Sequence, residues 1–143
     1  MNEVGSLPLI AKNENGYKNI IELSSKSYLE NDKMSVPNCN FEDLLNYSKD
    51  IIILSGGIGG LIGKLFNNDK VNYIQEIYKK LKYAFNNNFY IEIQRHEDQN
   101  EKSFENFNLK LSKIFNVPII ASQEVYYIDQ SIYEAHDALM CIG

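Results

Sequence analysis

Glu92, Gln94 and His96 occupy alternate positions of one stretch, FYIEIQRH from Phe89 to His96. Gln123 and Glu124 close a second, VPIIASQEVYY from Val117 to Tyr127. Carboxylate, amide and imidazole groups at such spacing are those that bind a divalent metal or orient a polar substrate. Each stretch begins as a short apolar run of the kind that forms a buried strand, and ends on these polar side chains. Where strands alternate with helices, ligands collect at the carboxyl ends of the strands, because the loops there converge on one crevice. These five residues are therefore expected to share one mouth, with Glu92 turned inward on the same face as Gln94.

The elements that must hold this mouth follow from hydrophobic periodicity. Leu7 to Ala11 reads as a strand. A helix follows from Gly16, with Tyr17, Ile20, Ile21, Leu23, Tyr28 and Leu29 along its apolar stripe and Asn31 and Asp32 at its end. Asn31 to Asn40 reads as loop. Asn40 is placed to cap a short helix that buries Leu44, Leu45 and Tyr47. Ile51 to Leu54 is an uninterrupted β-branched and aliphatic run, as expected of a parallel strand covered on both faces. Asp69 is expected to cap a long helix with the stripe Val71, Ile74, Ile77, Tyr78, Leu81 and Phe85, which Asn86 to Asn88 break. Phe89 to Ile93 is the next strand. A helix then turns Phe104, Phe107, Leu111, Ile114 and Phe115 inward, and Val117 to Ala121 forms the last strand. Ser131 to Glu134 has the spacing of a capping box opening a final helix through His136. The resulting order, βααβααβαβα, implies an α/β fold with a parallel sheet or a piece of a β/α barrel.

Composition bounds the partners. The 143 residues are 44% hydrophobic, enough for one domain with a real core. With 19 acidic against 14 basic residues the formal charge is −5, which argues against phosphate binding by this segment alone. No run approaches the length of a membrane span, and the amino-terminal residues lack the basic and apolar parts of a signal peptide. Cys39 and Cys141 lack any metal-binding spacing and suit a reducing cytosol as free thiols. A soluble, cytoplasmic protein is the expectation.

Other constellations have plainer explanations. SGGIGGLIG, from Ser55 to Gly63, follows a strand and precedes a helix, yet Leu65 stands where a phosphate loop needs Ser or Thr. A tight strand-to-helix turn accounts for the glycines. Glu124 and Glu134 could be read as a paired-carboxylate hydrolase site, but the capping box already accounts for Glu134. Tyr126 and Tyr127 could stack on bases, but no basic groove surrounds them, and core and rim packing is the expected role.

Three blocks together, Leu9 to Glu30, Phe89 to His96 and Val117 to Gly143, resemble the C-terminal two-thirds of the PHP (polymerase and histidinol phosphatase) domain of bacterial DNA polymerase III alpha subunits. The family patterns run approximately FYLEIQxHG and LPLVATNDVHY where this chain has FYIEIQRH and VPIIASQEVYY. The resemblance covers nearly the whole chain and implies a partial, distorted β/α barrel with mainly parallel strands. It also implies a fragment of a longer protein. The family's amino-terminal HxH pair would lie before Met1, and the polymerase domains after Gly143.

By resemblance, His96 would be a metal ligand, and the Asp and His of the NDVH block would supply two more. Those two positions read Glu124 and Tyr126 here, so at least one ligand is lost and the site is degenerate for Zn²⁺ or Mn²⁺. Glu92 would support His96 from behind, and His136, in the AHD of the last helix, would have a structural role. The complete protein would extend a primer by Mg²⁺-assisted phosphoryl transfer on DNA, bound through other domains. This segment would be catalytically inert by itself, stabilising the polymerase or supporting a proofreading exonuclease within the polymerase III holoenzyme. A stand-alone metal-dependent phosphoesterase using His96, Glu124 and His136 is the rival reading. A non-catalytic module that docks another subunit is a third.

Overall fold

The computed structural model describes residues 4–30 and 36–142. The expected element order is found. Strand β1 spans Leu9–Ala11, followed by helices α1 (Glu14–Leu29) and α2 (Phe41–Asn46), and β2 spans Ile51–Leu54. Helices α3 (Leu61–Asn67) and α4 (Val71–Phe85) lead through a 3-10 turn at Asn86–Asn88 into β3 (Phe89–Ile93). Helix α5 (Glu101–Phe115), β4 (Ile119–Ala121), a second 3-10 turn at Gln130–Ile132 and α6 (Tyr133–Met140) complete the order.

The strands form one four-stranded sheet in the order β1-β2-β3-β4. It is mixed. β1 runs antiparallel to β2 with Leu9 opposite Ile53, while β2–β3 and β3–β4 are parallel, with Ile53 opposite Phe89 and Ile91 opposite Ile119. Both connections β1–β2 and β2–β3 contain two helices, yet one reverses the chain and the other does not. The count of elements therefore leaves direction open. Among the described residues no pairing joins β4 to β1, so the sheet is an open one there rather than a closed barrel.

Ile51, Ile53 and Leu54 are buried, as a central strand requires, and so are Phe89 and Ile91 of β3. Helix α4 packs on β2 and β3 with Ile74, Ile77, Tyr78, Leu81 and Phe85 buried; Val71, the first residue of its stripe, is half-buried. The Tyr78 and Phe89 rings meet edge to face at 5.3 Å between centroids, and Phe66 of α3 lies 5.3 Å from Phe104 and 5.1 Å from Phe107. The core thus lies beneath the strands whose ends carry the polar residues.

Several local expectations are corrected. Asp69 is not the cap of α4; the cap position is Lys70, and Asp69 holds a left-handed φ of 56°. Asn40 caps α2 by position without a side-chain hydrogen bond, and Leu45 and Tyr47 are half-buried beside the buried Leu44. Ser131 does not open a capping box. It lies inside the second 3-10 turn, where Asp129 accepts its backbone N–H at 2.8 Å. Ile114 is 68% exposed rather than inward, because the buried face of α5 runs through Glu101, Phe104, Asn108 and Leu111. In α1 only Gly16 and Leu23 are buried, and Tyr17, Ile21, Tyr28 and Leu29 are exposed. The expected helix end at Asn31 and Asp32 lies outside the described residues; α1 runs to Leu29, with Glu30 as its cap.

Candidate functional site at the strand ends

The carboxyl ends of β2, β3 and β4 meet in a hydrogen-bonded polar cluster. Glu92 is 4% exposed, and its backbone N–H donates to Ser55 Oγ at 2.9 Å, tying β3 to the residue that follows β2. Ser122, just after β4, donates its hydroxyl to Glu92 Oε1, and Gln94 Nε2 donates at 3.3 Å to both Glu92 Oε1 and Ser122 Oγ. Register explains the meeting: Glu92 stands opposite Ile120 and Ile93 opposite Ala121, so Ser122 arrives at the level of Gln94. Gly57 completes the wall. A Cβ there would lie 2.0 Å from Gln94 Oε1, so the glycine allows the amide its place.

His96 lies one step outward. Its Nδ1 is 3.3 Å from Gln123 Nε2, and the same amide nitrogen is 3.3 Å from the carbonyl of Arg95. With the amide donating, Nδ1 acts as acceptor. Glu101 holds the loop beneath. Both its carboxyl oxygens accept the His96 backbone N–H at 2.9 Å, and Oε2 also accepts that of Glu97 at 3.0 Å. Arg95 turns outward to a two-pronged pair with Glu105, at 3.0 and 2.8 Å. That guanidinium holds the Glu105 carboxyl below the usual glutamate range.

Of the residues expected at one mouth, the fold therefore joins Glu92 with Gln94 and His96 with Gln123. Glu124 is hydrogen-bonded within its own segment. Its Oε2 accepts the Tyr126 hydroxyl at 2.5 Å, which pushes the Tyr126 phenol above its ordinary value. His136 of α6 packs its ring 5.8 Å from Tyr126 and 5.5 Å from Tyr127. Tyr126 is exposed and Tyr127 half-buried, so the pair forms a rim rather than core. Among the described residues the hydrogen bonds of Glu92 run to Ser55, Ser122 and Gln94, not to His96.

Ser55, Ser122 and Glu101 were not singled out by sequence reasoning. The two serines had a readable signal, since each directly follows an apolar strand run and so falls at the carboxyl end. Glu101 had none, because its partners are backbone amides.

The donor set can be tested against a metal. Among the described residues no three His, Cys, Asp or Glu side chains lie close enough to hold one ion. Both oxygens of Glu101 are engaged by amides, those of Glu105 by Arg95, and Glu124 is engaged by Tyr126. These residues do not by themselves fit a multi-ligand metal cluster. What they can do is bind and orient polar groups at the strand ends.

Polar residues at the carboxyl ends of parallel strands are the usual place of a site in an α/β sheet, and the PHP domain family model matches residues 2–96. The chain belongs to the PHP domain family. It is similar over its whole length to DNA polymerase III subunit alpha of Rickettsia prowazekii, at 33% identity over 143 residues. The corresponding subunits of Caulobacter vibrioides and Borreliella burgdorferi are 34% and 36% identical over 96% of the chain. The chain spans 12% of the length of each of these three relatives. Among the described residues no helix is long and apolar enough to cross a membrane.

Proposed function

We propose that these residues serve as part of the PHP domain of a replicative DNA polymerase III alpha subunit, with a structural role or a role in supporting proofreading. The observation that carries this reading is the similarity across the full 143 residues to one segment of such subunits. In this reading the segment completes a β/α barrel together with further strands of the longer protein. DNA and the Mg²⁺ ions of nucleotidyl transfer are bound by other domains, while holoenzyme subunits, the proofreading exonuclease among them, dock around it. The protein works in the cytoplasm. No step of that chemistry falls to the residues described here.

The metal site is read as degenerate. His96 remains at the strand end, but Glu124 is held by Tyr126 and Tyr126 stands where an imidazole would coordinate. His136, packed on two tyrosines, supports the last helix and not an ion.

Two measurements test this. The reading frame at the genomic locus is expected to continue into an HxH-bearing strand on one side and a polymerase domain with its acidic residues on the other. Start and stop signals bracketing the 143 codons would overturn it. Metal analysis of the purified protein is expected to find no stoichiometric Zn²⁺ or Mn²⁺ and no phosphoester hydrolysis. Stoichiometric metal with hydrolysis lost in His96→Ala would establish the stand-alone phosphoesterase instead.

A further inference from the structure

Among the described residues two buried side-chain polar atoms have no protein partner: Glu92 Oε2 and Asn108 Nδ2. Their residues are 4% and 1% exposed, one on β3 and one on α5, and both line the same small cavity. Gly57, Ile93 and Phe104 line the cavity with them. An unpaired acceptor and an unpaired donor lining one small cavity each destabilise the fold unless something satisfies both.

The occupant is constrained by chemistry. Asn108 Oδ1 accepts the Tyr78 hydroxyl at 2.9 Å, which leaves the NH₂ end of the amide as the unpaired donor. Glu92 Oε1 takes Ser122 and Gln94, leaving Oε2. A molecule that accepts one hydrogen bond and donates another is required. A divalent cation is a poor match, because the other carboxylates on the cavity wall, Glu101 and Glu105, are engaged by amides and by Arg95, and the Asn108 NH₂ would repel it. The cavity leaves ≈ 10 Å³ for the centre of a water-sized molecule, so a water fits there.

We propose that the cavity between β3 and α5 is a binding site for a single internal water, which donates to Glu92 Oε2 and accepts from Asn108 Nδ2. The water joins two polar pairs into one buried seam, from Tyr78 and Asn108 on the helices to Glu92, Ser122 and Gln94 at the strand ends. It thereby holds the Glu92 carboxyl group in the orientation that Ser122 and Gln94 require. This inference is independent of the polymerase reading.

A crystal structure of the 143-residue chain at a resolution that shows ordered solvent tests it. The expected result is one solvent oxygen within hydrogen-bond distance of both atoms. An empty cavity, a direct bond between Glu92 and Asn108, or an ion with ligands at about 2.0–2.6 Å would overturn it. Oxygen-17 relaxation dispersion gives a second readout. The Asn108→Leu variant is expected to lose one long-lived water relative to the unaltered chain, and an unchanged number counts against the proposal. Should that variant not fold, the crystal structure of the unaltered chain decides alone.

Discussion

The Glu101 side chain accepts the backbone N–H of His96 with both carboxyl oxygens at 2.9 Å, so the first residue of α5 anchors the loop that leaves β3. Glu97 follows with a left-handed φ of 64° and donates to the same group at 3.0 Å. The position of the imidazole is thus set by a carboxyl group five residues later. Glu101→Ala leaves two amides without this partner and is expected to cost about 2 kcal/mol or more, since hydrogen bonds to charged groups are worth about 1.5–3 kcal/mol. Urea denaturation measures the loss. Hydrogen exchange should show the His96 and Glu97 amides losing protection before the sheet does, and uniform loss would mean that Glu101 does not anchor this loop specifically.

Tyr78 is buried against Phe89, with its hydroxyl on Asn108. Burial pushes its phenol well above the ordinary 10.0, with the contact to Ser55 pulling weakly the other way. A phenol whose pKa is raised in the folded state contributes stability that is fully present below about pH 10. That contribution is lost as pH rises through the folded value, because the unfolded chain ionises first. Stability is therefore expected to fall above pH 10, and this part of the fall should vanish in Tyr78→Phe. At neutral pH the same variant should lose about 1–2 kcal/mol, the cost of leaving Asn108 Oδ1 unpaired in the core. Denaturation at neutral and alkaline pH measures both effects.

Arg95, the single arginine, holds the Glu105 carboxyl below its ordinary range. The depressed carboxyl contributes stability above pH 4.5 that is lost as pH falls through its folded value. In Arg95→Met a side-chain NMR titration should find Glu105 moved back toward the ordinary value. An unmoved titration would show that the pair does not persist in solution, as with many exposed ion pairs.

Glycines 16 and 59 should respond unequally to alanine. Alanine in a helix normally gains up to about 1 kcal/mol over glycine. At Gly16, however, a Cβ would lie 2.0 Å from the backbone carbonyl oxygen of Asp50, where α1 crosses the entry to β2, and backbone cannot swing aside. Gly16→Ala is expected to lose about 1–3 kcal/mol, the range for overpacking. A Cβ at Gly59 meets nothing within 4 Å, so Gly59→Ala should stay within about 0.5 kcal/mol. Chemical denaturation of both variants makes the comparison, and equal effects would contradict the close approach of α1.

The apolar run of Ile51 to Leu54 and the stripe from Ile74 to Phe85 are legible in the sequence because burial is periodic. A strand or helix that must bury one face repeats its apolar residues at that element's own spacing. For the same reason the βααβααβαβα order, the span of β3 and the meeting of Glu92 with Gln94 can be read before any fold is known. The sequence also carries the family, through the blocks around Phe89 and Val117.

Only the tertiary structure decided that β1 runs antiparallel while β3 and β4 run parallel to their neighbours, since two helices stand in both the first and the second connection. It alone placed Lys70 rather than Asp69 at the cap of α4, moved Glu124 to Tyr126, and brought Glu101 under His96. The physical reason is common to these cases. Apolar burial is non-directional and leaves a regular trace along the chain, whereas a hydrogen bond needs its donor and acceptor brought together in space. Residues as far apart as Glu92 and Ser122 acquire that geometry only when the strands pair.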